Sequence, residues 1–484
     1  MKKLLVLLSL FISVYAIAQN EKKEKVTVKS KGSVVVDGKT IEYSAKTGYM
    51  EIKNGKDEHI ANLFYVAYTK SGEGDAKKRP VTFVFNGGPG SSSVWLHMGV
   101  MGPKRVKMAE NGDALAAPYE LISNDCSWLD LTDLVFIDPI GTGFSRAVGE
   151  HKPEQFYGFE NDVKSVSEFI RLWTVENERW GSPKYLAGES YGTTRACGVV
   201  DYLQEEFQMH INGVTLLSCA LDFQALRQNS GNPLPFVFNL PVMALTAKYH
   251  NKLTSPVMAM ADSTLVKNAE RFAIDKYSVA LLKGDNLSER EKYAIAEELE
   301  YFTGISSEVY VINDLAIYTW QFRKLLLEDQ NLLVGRYDSR LTMPNPDPAA
   351  SYAYKDPSFT QIGSAITTAF NEYVQSDLKY TNDEVFNLIG NVYPWKFADS
   401  KYLNVVSKLR NAMFTNPNLK VWVLNGKYDI ATPMAGTKYA LSQMYLPESL
   451  ERNITFKEYE AGHMMYLLKS ELQKMKNDAK AFYK

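Results

Sequence analysis

The sequence predicts an α/β fold, with a mostly parallel central sheet flanked by helices and an inserted helical cap. Three observations predict it. Short, largely apolar runs recur from residue 80 onward, and most end in glycine- or proline-bearing turns. They are Val81 to Phe85 before Asn86-Gly87-Gly88, Leu134 to Ile137 before Asp138-Pro139, Tyr185 to Ala187 before Gly188, and Val214 to Leu217 before Ser218. Strands apolar on both sides belong to a sheet covered on both faces. Helical periodicity lies between them, as in Val163, Val166, Phe169, Ile170 and Trp173. The rhythm then breaks from 223 to about 400 and resumes at Val421 to Leu424 and Ile454 to Phe456.

The chain begins with two lysines, Lys2 and Lys3. An apolar run to Ile17 and the small-x-small site Ala16-Ile17-Ala18 follow. This is the pattern of a signal peptide over residues 1–18, with Gln19 as the mature N-terminus and an exported, periplasmic or secreted product. The run is short for a membrane span, and no later stretch reads as one. Val34 to Val36 and Ile41 to Tyr43 flank Asp37-Gly38, a hairpin signature. Asn54-Gly55 marks a second turn, and Leu63 to Tyr68 a third strand. Residues 19–222 are therefore expected to form the first part of the core and 401–484 the second. Residues 223–400 are expected as the cap, mostly helical, with an irregular stretch from Asp338 to Pro357.

Composition excludes several classes. The net charge of −2 becomes −4 once Lys2 and Lys3 are removed. That is too near neutral to argue for a nucleic-acid partner or an anionic membrane. Three cysteines, Cys126, Cys197 and Cys219, can form one bridge at most. Cys197 and Cys219 sit in apolar stretches and read as buried small residues. No pair has metal-ligand spacing, so no metal and no cofactor is expected. The sequence assigns no oligomeric state.

Gly188-Glu189-Ser190-Tyr191-Gly192 is a G-x-S-x-G sequence between a strand and a helix running from Thr193 through Val199, Val200 and Leu203. In that setting it is the nucleophile elbow of an α/β-hydrolase fold, with Ser190 as nucleophile. A serine hydroxyl needs a base, and the fold orders the triad Ser, then Asp or Glu, then His. Of six histidines, three precede Ser190. His210 and His250 follow too closely to leave room for an acid-bearing strand. His463, just past the strand at 454–458, is the candidate base. Asp429 follows the strand at 421–424 and is the candidate acid. It can also serve as a turn aspartate for Ala431-Thr432-Pro433. Acyl transfer needs donors for the oxyanion: the Tyr191 amide, and a second from the loop Asn86 to Ser93, for which Gly88 is chosen. A phosphate role for that loop fails because no Lys-Ser/Thr follows in P-loop spacing.

Together these segments resemble the serine carboxypeptidase family, peptidase family S10, as a bacterial-type member. The resemblance rests on five segments in order. They are Asn86 to Ser93, Ser127-Trp128 with Ile137 to Ser145, Gly188 to Gly192, Asp429, and Ala461-Gly462-His463-Met464. It implies a serine-type carboxypeptidase that releases C-terminal residues from peptides through an acyl-enzyme, with Asn86 and Glu189 binding the terminal carboxylate. Two carboxylates in contact share a proton, which favours acidic pH. The chain departs from the family in three places. A second glutamate is usual two residues before Gly102-Pro103, where Val100 stands. The usual cysteine of the glycine loop is Ser91. Met464-Met465-Tyr466 replaces a proline-bearing sequence, and Met464 is placed in the leaving-residue pocket. His97 is the nearby group able to supply a positive charge. Two other functions fit the sequence: an esterase or acyltransferase with the same triad, and a catalytically inactive binding protein.

Overall fold

The computed structural model describes residues 27–484 apart from 73, 75, 351, 353, 354, 361 and 398–401. The expected signal peptide at 1–18 and the expected cap boundary at 400 both lie outside the described residues. Among the described residues ten strands form the main sheet. In chain order they are β1 (Val28–Val36), β2 (Lys39–Lys53), β3 (His59–Lys70), β4 (Val81–Phe85), β5 (Asp133–Ile137), β6 (Arg146–Ala147), β7 (Lys184–Glu189), β8 (Gly213–Leu217), β9 (Lys420–Gly426) and β10 (Ile454–Tyr459). Their order across the sheet is β1-β2-β3-β5-β4-β7-β8-β9-β10, with β6 on β3.

The first three strands are antiparallel. Asp37 and Gly38 both hold positive φ, 49° and 72°, as a two-residue hairpin turn matched to strand twist requires. Strands β5, β4, β7, β8, β9 and β10, in sheet order, are parallel, while β6 pairs antiparallel with β3. This is the expected α/β-hydrolase arrangement. Alternate residues of each parallel strand enter separate apolar clusters. Leu134, Phe136, Trp422 and Leu424 join one, and Val135, Ile137, Val421 and Val423 the other. That alternation explains why the runs read as apolar throughout. Helices α1 (Phe159–Glu176) and α2 (Tyr191–Phe207) cover the second cluster through Val163, Phe169, Val199 and Leu203.

The segment expected as one helical cap divides in two. Helices α3 (Leu234–Tyr249), α4 (Asp262–Phe272) and α5 (Glu289–Thr303) build their own apolar cluster around Phe236, Met243, Leu265, Phe272 and Phe302. Helix α6 (Ile362–Ser376) instead packs Ile366, Phe370 and Tyr373 into the first sheet cluster, to which α7 (Lys469–Phe482) also contributes. Periodicity reveals an apolar face but not its partner, so this split was invisible in the sequence. The three cysteines are free and buried. Among the described residues no helix is long and apolar enough to cross a membrane.

Strand β4 lies between β5 and β7. The loops that leave β4 and β7 therefore emerge side by side at the carboxyl edge, where open α/β sheets place their sites.

Candidate active site

Ser190 stands between β7 and α2 with φ 58° and ψ −128°, a region that costs a non-glycine residue strain. The neighbouring glycines make the turn possible. A Cβ on Gly188 would lie 2.2 Å from the Gly192 carbonyl oxygen, and one on Gly192 would lie 2.9 Å from the Phe85 carbonyl oxygen. The glycine loop presses on the elbow from the β4 side, where a Cβ on Gly87 would come within 2.4 Å of the Tyr191 amide nitrogen. The Tyr191 amide, in the first turn of α2, and the following Gly88, at φ 100°, thus lie on the two pieces of backbone in contact. The first N–H groups of a helix lack internal partners and sit at its positive end.

Two carboxylates anchor this backbone. Asp138 accepts the Ser93 amide at 2.8 Å and the Ser93 hydroxyl at 2.7 Å, fixing the far end of the glycine loop. Burial pushes its carboxyl up to about 6 against those bonds. Behind the elbow, Asp162 in the first turn of α1 accepts Arg195 Nε at 3.0 and 2.8 Å. Arg195 in turn donates to the Asn86 carbonyl. Both members of that pair are buried.

Asp429 and His463 meet as the chain order predicts, with Nδ1 2.7 Å from Oδ2. The Thr432 hydroxyl donates to the same carboxylate oxygen at 2.6 Å. The other oxygen, Oδ1, accepts the amides of Ala431 and Thr432 at 2.8 and 3.0 Å. Asp429 therefore fills the turn role and holds the imidazole at once. Burial works to raise its carboxyl, but the His463 charge, the His463 bond and the Thr432 bonds hold it below the usual carboxylate range. His463 shows the converse. Burial pulls it down, and Asp429, with Glu189 behind it, keeps it above its ordinary 6.5.

Hydrogen bonds at residues 217 and 218 tie the Ser190 turn to the His463 segment. The Ser190 amide donates to the Leu217 carbonyl at 2.9 Å, and the next residue, Ser218, donates its hydroxyl to the His463 carbonyl at 2.7 Å. The imidazole spends Nδ1 on Asp429 and Thr432 and leaves Nε2 without a protein hydrogen bond. Among the described residues the Ser190 hydroxyl has no hydrogen-bond partner either. Such bonds are often long before substrate arrives.

Glu189 is buried. It accepts a hydrogen bond from Asn86 Nδ2, and its two oxygens lie 3.1 and 3.0 Å from the Tyr466 hydroxyl. Burial pushes it up to about 7, against the His463 charge and the Tyr466 and Asn86 bonds. Tyr466 is the residue that sequence reasoning missed as a partner of Glu189. Its ring lies against Gly99, where a Cβ would come within 2.5 Å of it, one residue from the buried Val100. The only signal for it was the Met464-Met465-Tyr466 departure. His97 is not the expected cation. It is stacked on Phe136 at 4.1 Å, its Nε2 is bonded to the Tyr68 hydroxyl at 2.7 Å, and burial drives it down to about 3.

Met464 is half-buried and borders a small cavity with Asn111, Tyr337, Asp338 and Leu467. A wider surface groove, lined by Lys53, His151, Phe156, Tyr202 and Phe207, sits at the opposite end of α2 and contains none of the expected site residues. Among the described residues no group of three His, Cys, Asp or Glu side chains could hold a metal ion.

A sequence profile described as serine carboxypeptidase matches residues 36–226. The chain is 32% identical over 152 residues to serine carboxypeptidase-like 8 of Arabidopsis thaliana, covering 31% of this chain and 32% of that protein. With serine carboxypeptidase-like 22 of the same plant it shares 23% over 414 residues, 84% of this chain and 78% of that one. The first of these alignments thus spans about a third of its relative's length. Among solved structures, the prohormone-processing carboxypeptidase Kex1 of Saccharomyces cerevisiae superposes with a TM-score of 0.56 at 16% identity. That match covers 90% of this chain and 92% of the other, and it is a likeness of fold. These relatives are from a plant and a fungus, so the narrower bacterial-type assignment is not supported.

Proposed function

We propose that the chain, whose residues 36–226 match the serine carboxypeptidase profile, is a member of that family and a serine-type carboxypeptidase that releases C-terminal residues from peptides. The observation that carries this reading is the buried Asp429–His463 pair tied to the residue pair 217–218 that also holds the elbow. Ser190 attacks the carbonyl of the last peptide bond, and His463 Nε2 takes its proton. The amides of Gly88 and Tyr191 receive the oxyanion. His463 then passes the proton to the departing amine, and water, activated by the same imidazole, releases the acyl group. Asp429 fixes the tautomer and balances the imidazolium.

Asn86 and Glu189 bind the terminal carboxylate in this scheme. With its carboxyl raised to about 7, Glu189 keeps its proton in acid and can donate it to a substrate carboxylate. It loses that ability as the pH rises through 7. Its charge also supports the proton on His463. Protonating Glu189 therefore removes one reason for the imidazole to be charged, and the two protonation states suit each other. We further propose export after removal of residues 1–18, with peptides as the partners.

Replacing Ser190 with alanine should lower kcat on peptide substrates by about 10⁴ to 10⁶; near-full activity in that variant refutes the mechanism. The second reading, an esterase or acyltransferase with the same triad, draws support from Val100 standing where a second acid would be, and from the Tyr466 hydroxyl bonding Glu189. Hydrolysis of a peptide acid compared with its amide separates the two. The carboxypeptidase reading expects the acid to be preferred, and activity confined to simple acyl esters favours the alternative.

A further inference from the structure

The wall of the site on the leaving side carries a charge the mechanism above does not use. His463 hands a proton to the departing amine, so the residue being released sits against the imidazole. What lies beside His463 there is the segment before α6. The Tyr337 carbonyl accepts the His463 amide at 2.5 Å, and the Tyr337 ring lies 5.1 Å from the imidazole. The exposed Arg336 places its guanidinium 5.1 Å from the same tyrosine ring, a cation–π contact that restrains a long side chain.

The surrounding charges leave Arg336 unmatched. Asp338 is taken by Arg340, 2.9 Å from Nε and 2.5 Å from Nη2. Asp356 lies 3.3 Å from Arg323 and accepts the Ser358 amide and hydroxyl, and from Arg336 it takes the backbone amide rather than the guanidinium. Among the described residues the Arg336 side chain has no hydrogen bond and no carboxylate within ion-pair distance. Its charge nevertheless reaches His463, where it opposes protonation. An exposed, unpaired guanidinium presents the planar fork that recognises carboxylates. Asn86 and Glu189, on the elbow side, are already given to the terminal carboxylate. A second anion on the leaving side is a side chain.

We propose that Arg336 reads the acidic side chain of the residue being released, so that the enzyme prefers peptides ending in aspartate or glutamate. This rests on the carboxypeptidase reading. The test uses four peptides that differ only in their last residue: glutamate, glutamine, leucine or lysine. The full chain should release glutamate about tenfold better than glutamine in kcat/KM, and the ratio should shrink as salt is added. Arg336→Ala should bring the ratio near one, Arg336→Lys should keep part of it, and Arg336→Glu should turn the preference toward lysine. Equal release of glutamate and glutamine by the unmodified chain, or a ratio that survives Arg336→Ala, overturns the inference while leucine release still upholds the peptidase. If none of the four residues is released, the carboxypeptidase reading falls and this inference with it.

Discussion

Replacing Glu189 with glutamine should make the protein more resistant to rising pH. In the unfolded chain this carboxyl titrates near 4.5, and in the fold near 7. Below pH 4.5 both states carry the proton, and the group has no effect on the balance. Between 4.5 and 7 the folded state holds a proton that the unfolded state has lost, so stability falls as the pH rises. Above 7 the folded state has lost it too, and the full penalty for a buried anion is present. That interval, at about 1.4 kcal/mol per pH unit, amounts to about 3 kcal/mol. Glutamine keeps an acceptor for Asn86 and Tyr466 and has nothing to titrate. Urea unfolding of both proteins from pH 4 to 8 gives the difference in stability at each pH, and most other ionisable groups cancel. The unmodified protein should lose about 3 kcal/mol relative to the variant across that range. The Glu189 charge and the His463 proton support each other, so the loss spreads over the titration of both. A difference that stays flat to within about 1 kcal/mol would mean that Glu189 is not held as a buried, proton-retaining acid.

Tyr466→Phe removes a hydroxyl donor from the Glu189 carboxylate. A bond to a charged acceptor is worth about 1.5–3 kcal/mol, so the alkaline limb of kcat/KM on a peptide acid should move up by about one pH unit or more. A pH–rate profile with an unmoved limb contradicts that. Asp162→Ala leaves Arg195 buried and unpaired behind the elbow, and should cost about 3–5 kcal/mol in thermal or urea unfolding. Pairing Asp162→Leu with Arg195→Met should recover most of the loss. A single variant as stable as the unmodified protein would show that the pair is not holding the glycine loop.

The strands, the elbow and the pairing of Asp429 with His463 were legible because each leaves a local mark. Val421 to Leu424 is apolar on both faces, Ser190 sits between glycines, and His463 alone follows an acid-bearing strand. What the sequence hid depends on distant partners. Helix α6 presents the same periodic face whether it packs on the cap or on the sheet. Tyr466 reaches Glu189 across 277 positions, and nothing near either residue announces the other. His97 shows the opposite failure. A histidine close to the site in sequence suggested a charge, and burial against Phe136 and Tyr68 removes it. Arg336 lay in the segment read only as part of the cap, just before its irregular stretch, and it became visible once Tyr337 was found beside the imidazole.

Most crowded positions in a protein have an escape. If a new methyl strikes a neighbouring leucine, a smaller neighbour restores the fit. At Gly87, Gly188 and Gly192 the atoms in the way are carbonyl oxygens, amide nitrogens and carbonyl carbons of the main chain, and every amino acid brings the same ones. No compensating change elsewhere can make room without moving the chain itself. Selection for suppressors of an alanine at any of the three should therefore return glycine at the original codon and nothing else.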